Sequence, residues 1–140
     1  MRKFMALLPI LFFTSFAYGN DIDEVKSTVE HYANFDNTYN AEGLEEITDE
    51  SFHFIMHSSG DTETVTTISR NAFLKGIAAK QFGGNNKALE IENIIVKGNI
   101  ANVYFTHTGK TAGYQHYMSH IKLNGKWKAA TTTAQMEMIK

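Results

Sequence analysis

The dipeptide Asn124-Gly125 stands between two runs of alternating character, Tyr114 to Leu123 and Lys126 to Met136. A two-residue hairpin turn needs φ > 0 at both positions, which Asn and Gly accept at least cost. The pattern predicts a C-terminal β-hairpin with Leu123 opposite Lys126. Side chains alternate faces with period 2. One face then carries Lys122 opposite Trp127, His120 opposite Ala129, Met118 opposite Thr131 and His116 opposite Thr133. The other places Ile121 against Lys128, Ser119 against Ala130 and Tyr117 against Thr132. The first face is the expected core side, and it brings two histidines inward.

The N-terminus reads as an export leader. Arg2-Lys3 is a short positive segment, Phe4 to Phe16 is apolar but broken by Pro9, and Ala17-Tyr18-Gly19 offers small residues where a signal peptidase reads them. Cleavage is expected after Gly19, leaving residues 20–140 as one domain in the periplasm or secreted. Without Arg2 and Lys3 the formal net charge moves from -2 to -4. Such mild acidity argues against nucleic-acid partners and, after leader removal, against a membrane surface. The chain has no cysteine. No disulfide or thiolate chemistry is open to it, and its core alone must hold it. A domain of this size buries roughly two-thirds of its unfolded surface, enough for that.

Taken in order, Asp21 to Asn40 predicts an amphipathic helix with Ile22, Val25, Val29 and Tyr32 on one stripe and Asp21 or Asp23 at its cap. Asn40 is placed to cap a short helix, Ala41 to Ile47. Phe52 to Ser58 alternates, with Phe52, Phe54 and Met56 on the core side, and Glu63 to Ile68 is the return strand. Ser69 caps a third helix expected over Arg70 to Phe82, ended by Gly83-Gly84. Ala88 to Val96, Ile100 to Thr108 and the final hairpin complete a four-stranded meander. The order makes an α+β fold: a bent, mostly antiparallel sheet of about six strands wrapped round a long N-terminal helix, with two further helices. Such wrapping leaves a conical cavity.

Three segments carry a family resemblance. They are Val29-Glu30-His31-Tyr32 running into Tyr39 to Leu44; Phe52 through Gly60 followed by Ser69 to Leu74; and Tyr117 to Lys128, ending Asn124-Gly125-Lys126-Trp127-Lys128. Together they resemble the NTF2-like superfamily, in its SnoaL-like and lumazine-binding-like branches. The resemblance implies the cone fold, a ligand cavity and frequent dimerisation through the sheet face. It departs from the branch pattern at His116, where Asp is frequent, at His120, where the pattern is apolar, and at Asn40. No Asp stands on the strands that would line the cavity.

If Lys110 to Gly113 turns the chain, His107 pairs with His116, Phe105 with Met118 and Val103 with His120. Directly opposed Cβ atoms lie about 5 Å apart, so His107 and His116 would touch. Tyr32, Phe54, Phe105, His107, Met118 and Trp127 are the expected ligand wall. His116, His120 and Tyr32 are the candidate catalytic set: an imidazole exchanges protons near pH 7, and a tyrosine hydroxyl can donate to a developing oxyanion. No metal site is expected, because two histidines at i, i+4 on a strand lie ~13 Å apart and a zinc site takes three or four protein ligands. No cofactor is expected. The reading is an exported protein that binds a small, largely apolar molecule and dimerises through a sheet face bearing Tyr104, Tyr117 and Ile121. Isomerase, cyclase or dehydratase-like chemistry is the alternative. A dimeric interaction module without catalysis is the third.

Overall fold

The stripe Val25, Val29 and Tyr32 recurs at helical spacing and is fully buried, which places the first helix inside the sheet rather than on it. A computed structural model describes residues 15–140, with residues 15–19 as helix backbone only. The expected leader and its cleavage point therefore lie outside the described side chains. Helix α1 runs over Ser15–Asn37. It begins before the expected start at Asp21, so Asp21 is not a cap. Its carboxylate is instead 2.7 Å from Lys122 Nζ and accepts a hydrogen bond from Trp127 Nε1, tying the helix to the final hairpin.

Helix α2 (Ala41–Ile47) is capped as expected, with Gly43 N donating to the Asn40 side chain at 2.9 Å. Strand β1 (Thr48–Ser58) starts four residues before Phe52, where Thr48 both donates to Leu44 O and accepts from Arg70 Nε. Strand β2 (Thr64–Ser69) returns to α3, whose first turn is capped by Ser69. Helix α3 covers Arg70–Ala78 and stops short of the expected Phe82, because Lys80 adopts φ +57. Phe82 then folds back to stack on Phe73 at 6.4 Å. The remaining strands are β3 (Ala88–Lys97), β4 (Ile100–Thr108), β5 (Ala112–Leu123) and β6 (Lys126–Met138).

The six strands are ordered β2-β1-β6-β5-β4-β3, and all pairs are antiparallel except β1 with β6. This is the α+β cone expected of an NTF2-like chain, with a six-stranded mixed sheet and three helices among the described residues. Tyr32, Phe52, Phe105, Met118 and Ile77 are among its fully buried side chains. Each contributes roughly 1.5–3 kcal/mol by leaving water.

Two registers differ from expectation. The hairpin pairs Leu123 with Lys126 and His120 with Ala129 as predicted, but then Ser119 opposes Thr131 rather than Ala130. Ala130 is the extra residue of a β-bulge, so beyond it β6 reverses its faces. Met118 opposes Thr132, Tyr117 opposes Thr133 and His116 opposes Ala134. Thr132 and Ala134 turn inward in place of Thr131 and Thr133. In the second register, His107 opposes Tyr114, Phe105 opposes His116 and Val103 opposes Met118. The turn closes early, with Gly109 N donating to Ala112 O, and β4 slips two residues along β5. A two-residue slip preserves facing, so His107 stays on the core side although it no longer opposes His116.

Gly84 sits at φ +74, and a Cβ there would lie 2.0 Å from the Tyr39 hydroxyl oxygen. Gly125 has φ +76 with open space around it. Ala at Gly125 should therefore cost only the ~1 kcal/mol of a left-handed backbone. Ala at Gly84 should cost at least about twice that, since Tyr39 must also move. Urea unfolding of both variants checks the difference, and equal losses would show that Tyr39 yields freely.

Candidate functional site

The α1 stripe does not end at Tyr32. One turn on, at i+4, stands Asp36, a carboxylate brought into the core by the same spacing that buries Val25 and Val29. Its side chain is met by Lys87, whose Nζ lies 2.8 Å from Asp36 Oδ2, off the hydrogen-bond axis. Lys87 is placed from the backbone. Its N–H donates to Asn37 Oδ1 at 2.9 Å, and its carbonyl accepts from Asn37 Nδ2 at 2.8 Å. Gly84 N donates to Asp36 O. The loop from Gly83 to Lys87 is thus pinned to the end of α1.

A pocket of about 180 Å³ opens between this loop, α1, α3 and the sheet. Its polar lining is Tyr32, Asp36, Lys87, His107, Tyr114 and His116, with Gln81 and Asn85. Its apolar lining is Phe54, Met56, Ile68, Phe73 and Phe82. The two sets meet at His116, whose ring centroid is 6.2 Å from Tyr32, 6.2 Å from Tyr114, 5.8 Å from Phe54 and 6.5 Å from His107. Of the sequence-expected residues, Tyr32, Phe54, His107 and His116 are gathered here. Phe105 is not a wall residue but lies behind His116, stacked on it at 4.5 Å. Met118, Trp127 and His120 do not line the pocket, and Trp127 is engaged with Asp21.

The bulge in β6 sets the state of His116. It turns Thr132 inward, and Thr132 Oγ1 lies 3.0 Å from His116 Nδ1, leaving Nε2 as the nitrogen available to the pocket. Burial first, then His107 and Lys87, depress His116 to a pKa of about 3. His107 is lowered to about 4 by burial and by Lys87, against a hydrogen bond with the Lys87 backbone. Both rings are therefore neutral at pH 7. Asp36 Oδ2 is 3.8 Å from His107 Nδ1, beyond hydrogen-bond reach. Burial pushes the Asp36 carboxyl up, and Lys87 pulls it back. Burial and the Asp36 charge raise Tyr32, so its hydroxyl remains a donor.

The chain matches the family described as "Putative lumazine-binding" over residues 20–133. It belongs to that family. No curated protein matches it significantly. Among solved structures, an NTF-2-like protein of unknown function from Silicibacter pomeroyi is 16% identical, with 87% of this chain and 98% of that one covered at a TM-score of 0.74. An NTF2-like protein of unknown function from Methylobacillus flagellatus is 16% identical, covering 84% and 93%, at 0.72. A ketosteroid isomerase-like protein from Erwinia carotovora atroseptica is 15% identical, covering 91% and 99%, at 0.64. At these identities the likeness is one of fold.

Sequence reasoning missed Asp36, Lys87 and Tyr114. Asp36 had a legible signal, a charge at i+4 from Tyr32 on an apolar stripe. Lys87 had none, because it reaches Asp36 across 51 residues of chain. Among the described residues no group of three or more His, Cys, Asp or Glu is placed to hold a metal ion.

His120 is also buried, and burial lowers it to about 4 against a backbone hydrogen bond at Met118. At all three inward histidines the folded state binds fewer protons than the unfolded chain. Their contribution is complete above about pH 6.5 and is lost as pH falls toward 4. The raised Asp36 opposes this, favouring the fold at low pH. Urea unfolding between pH 7 and 4.5 should show stability falling with acid, and His120→Leu should flatten the slope by roughly 1.4 kcal/mol per pH unit. An unchanged slope would show His120 to be protonated inside the fold.

Proposed function

We propose that this chain is an exported small-molecule-binding protein that holds a largely apolar ligand of about one ring in the pocket under α1. The observation that carries this is the join of an aromatic wall (Phe54, Phe73, Phe82) to a compact polar end (Tyr32, Lys87, His107, His116) around about 180 Å³. An engineered apolar cavity of about 150 Å³ takes benzene, whereas drug-sized ligands use pockets of roughly 300–1,000 Å³. Export rests on the leader-like sequence of residues 1–19. Dimerisation through the sheet face is part of the same reading, supported by the Tyr104–Tyr117 stack at 4.7 Å, in which Tyr117 is 64% exposed.

One observation favours acid-base chemistry as the second reading. His116 is oriented by Thr132, neutral at pH 7 and beside the Tyr32 ring. In that reading His116 Nε2 takes a proton from the ligand while Tyr32 donates to the oxygen where charge develops. His120, outside the pocket, has no part in it.

Native mass spectrometry of protein purified from its own host should show a stoichiometric bound molecule, and lumazine, named in the family description, belongs in the follow-up screen. Met56→Trp, which fills the pocket from β1, should abolish the adduct while leaving the fold intact by circular dichroism. An empty wild-type protein that also fails a broad metabolite screen would move the assignment to an interaction module.

A further inference from the structure

Lys87 stands at the polar end of the pocket, and the readings above give it no role of its own. Among the described residues, it and Asp36 are the two formally charged side chains lining the pocket. Both are nearly buried, at 7% and 9% exposure, and they sit 2.8 Å apart. The pair is neutral as a unit, and His107 and His116 add no charge at pH 7. An anionic ligand would find the pocket's cation already compensated. A cationic ligand would meet Lys87 itself. Either would bring a charge out of water without a free partner, which is costly.

An ammonium has three N–H donors. Lys87 Nζ donates one to Gly84 O at 2.7 Å, and Asp36 Oδ2 stands 2.8 Å away as its ion-pair partner, off the hydrogen-bond axis. At least one N–H is therefore left without an acceptor among the described residues. Two Asn37 hydrogen bonds fix the Lys87 backbone, Gly84 O and Asp36 anchor its ammonium, and the Tyr114 ring stands 5.9 Å from Nζ. A fixed donor with one open valence, inside a pocket of zero net charge, recognises a neutral acceptor.

We propose that Lys87 is the specificity-determining residue of the pocket, and that it selects uncharged single-ring ligands bearing an oxygen acceptor, such as a ketone or amide, seated oxygen-first against its ammonium. This rests on the small-molecule reading of the same pocket. Asp36 acts here by compensation: it keeps Lys87 a donor without leaving it a bare cation that would attract anions. The ring of the ligand lies toward Phe54 and Phe73.

Four molecules of nearly one shape separate the possibilities: acetophenone, isopropylbenzene, benzoate and benzamidinium. Binding is measured by amide chemical-shift titration on the folded protein, for the wild type, Asp36→Asn, Lys87→Met and the double variant. In the wild type both ions should bind at least about tenfold more weakly than acetophenone. In Lys87→Met, and in the double variant that removes both buried charges should the single one fail to fold, the acetophenone-to-isopropylbenzene affinity ratio should fall about tenfold, the worth of one hydrogen bond to a charged donor. In Asp36→Asn the uncompensated lysine should make benzoate the preferred ligand. An ion binding the wild type as tightly as acetophenone, or a ratio unmoved by loss of Lys87, overturns the proposal while leaving the pocket standing. Binding of none of the four to the wild type overturns the small-molecule reading and this inference with it.

Discussion

Burial of one stripe of α1 organises this protein. Val25, Val29, Tyr32 and Asp36 share a helix face, and the sheet closes over all four. The first three are stabilised by leaving water. The fourth is a carboxylate whose burial is unfavourable unless a cation follows it inside. Lys87 does so, and because its loop is pinned to Asn37 and Asp36, the end of α1, the loop after α3 and the start of β3 become one unit. The pocket is the space this unit leaves beneath the sheet.

A single extra residue has a comparable effect on the sheet. The bulge at Ala130 reverses the faces of the second half of β6, bringing Thr132 rather than Thr131 and Thr133 against His116. His116 thereby acquires one fixed partner at Nδ1 while stacking on Phe105. A buried imidazole with one nitrogen engaged and the other facing a pocket is an oriented group, whether it serves as a ligand contact or as a base. His120 has no side-chain partner among the described residues and does not line this pocket, which separates two histidines that alternate identically in sequence.

The resulting site is mixed rather than apolar. Its aromatic side runs continuously from Phe54 through Phe73 to Phe82, and its polar side from Tyr32 and His116 to Lys87. The likeness to solved structures at 15–16% identity extends to the fold. What the pocket recognises is accordingly argued from its own side chains: neutral rings, hydroxyl donors and one compensated ion pair.

What was readable from residues alone was what depends on near neighbours along the chain. Asn124-Gly125 determines a tight hairpin because few residues accept φ > 0 twice in succession. Asn40 and Ser69 determine helix starts because their side chains accept hydrogen bonds from amides three residues on. Alternation determined that His107, His116 and His120 face inward, and the element order determined the α+β cone. Tertiary structure alone decided which of those histidines share a pocket and what touches them. A bulge is invisible in an alternating pattern, since Ala130-Thr131-Thr132-Thr133 reads equally well in either register. The Asp36–Lys87 pair is likewise absent from any local pattern, because a buried carboxylate's cation is set by the folded path of the backbone, not by its sequence neighbours.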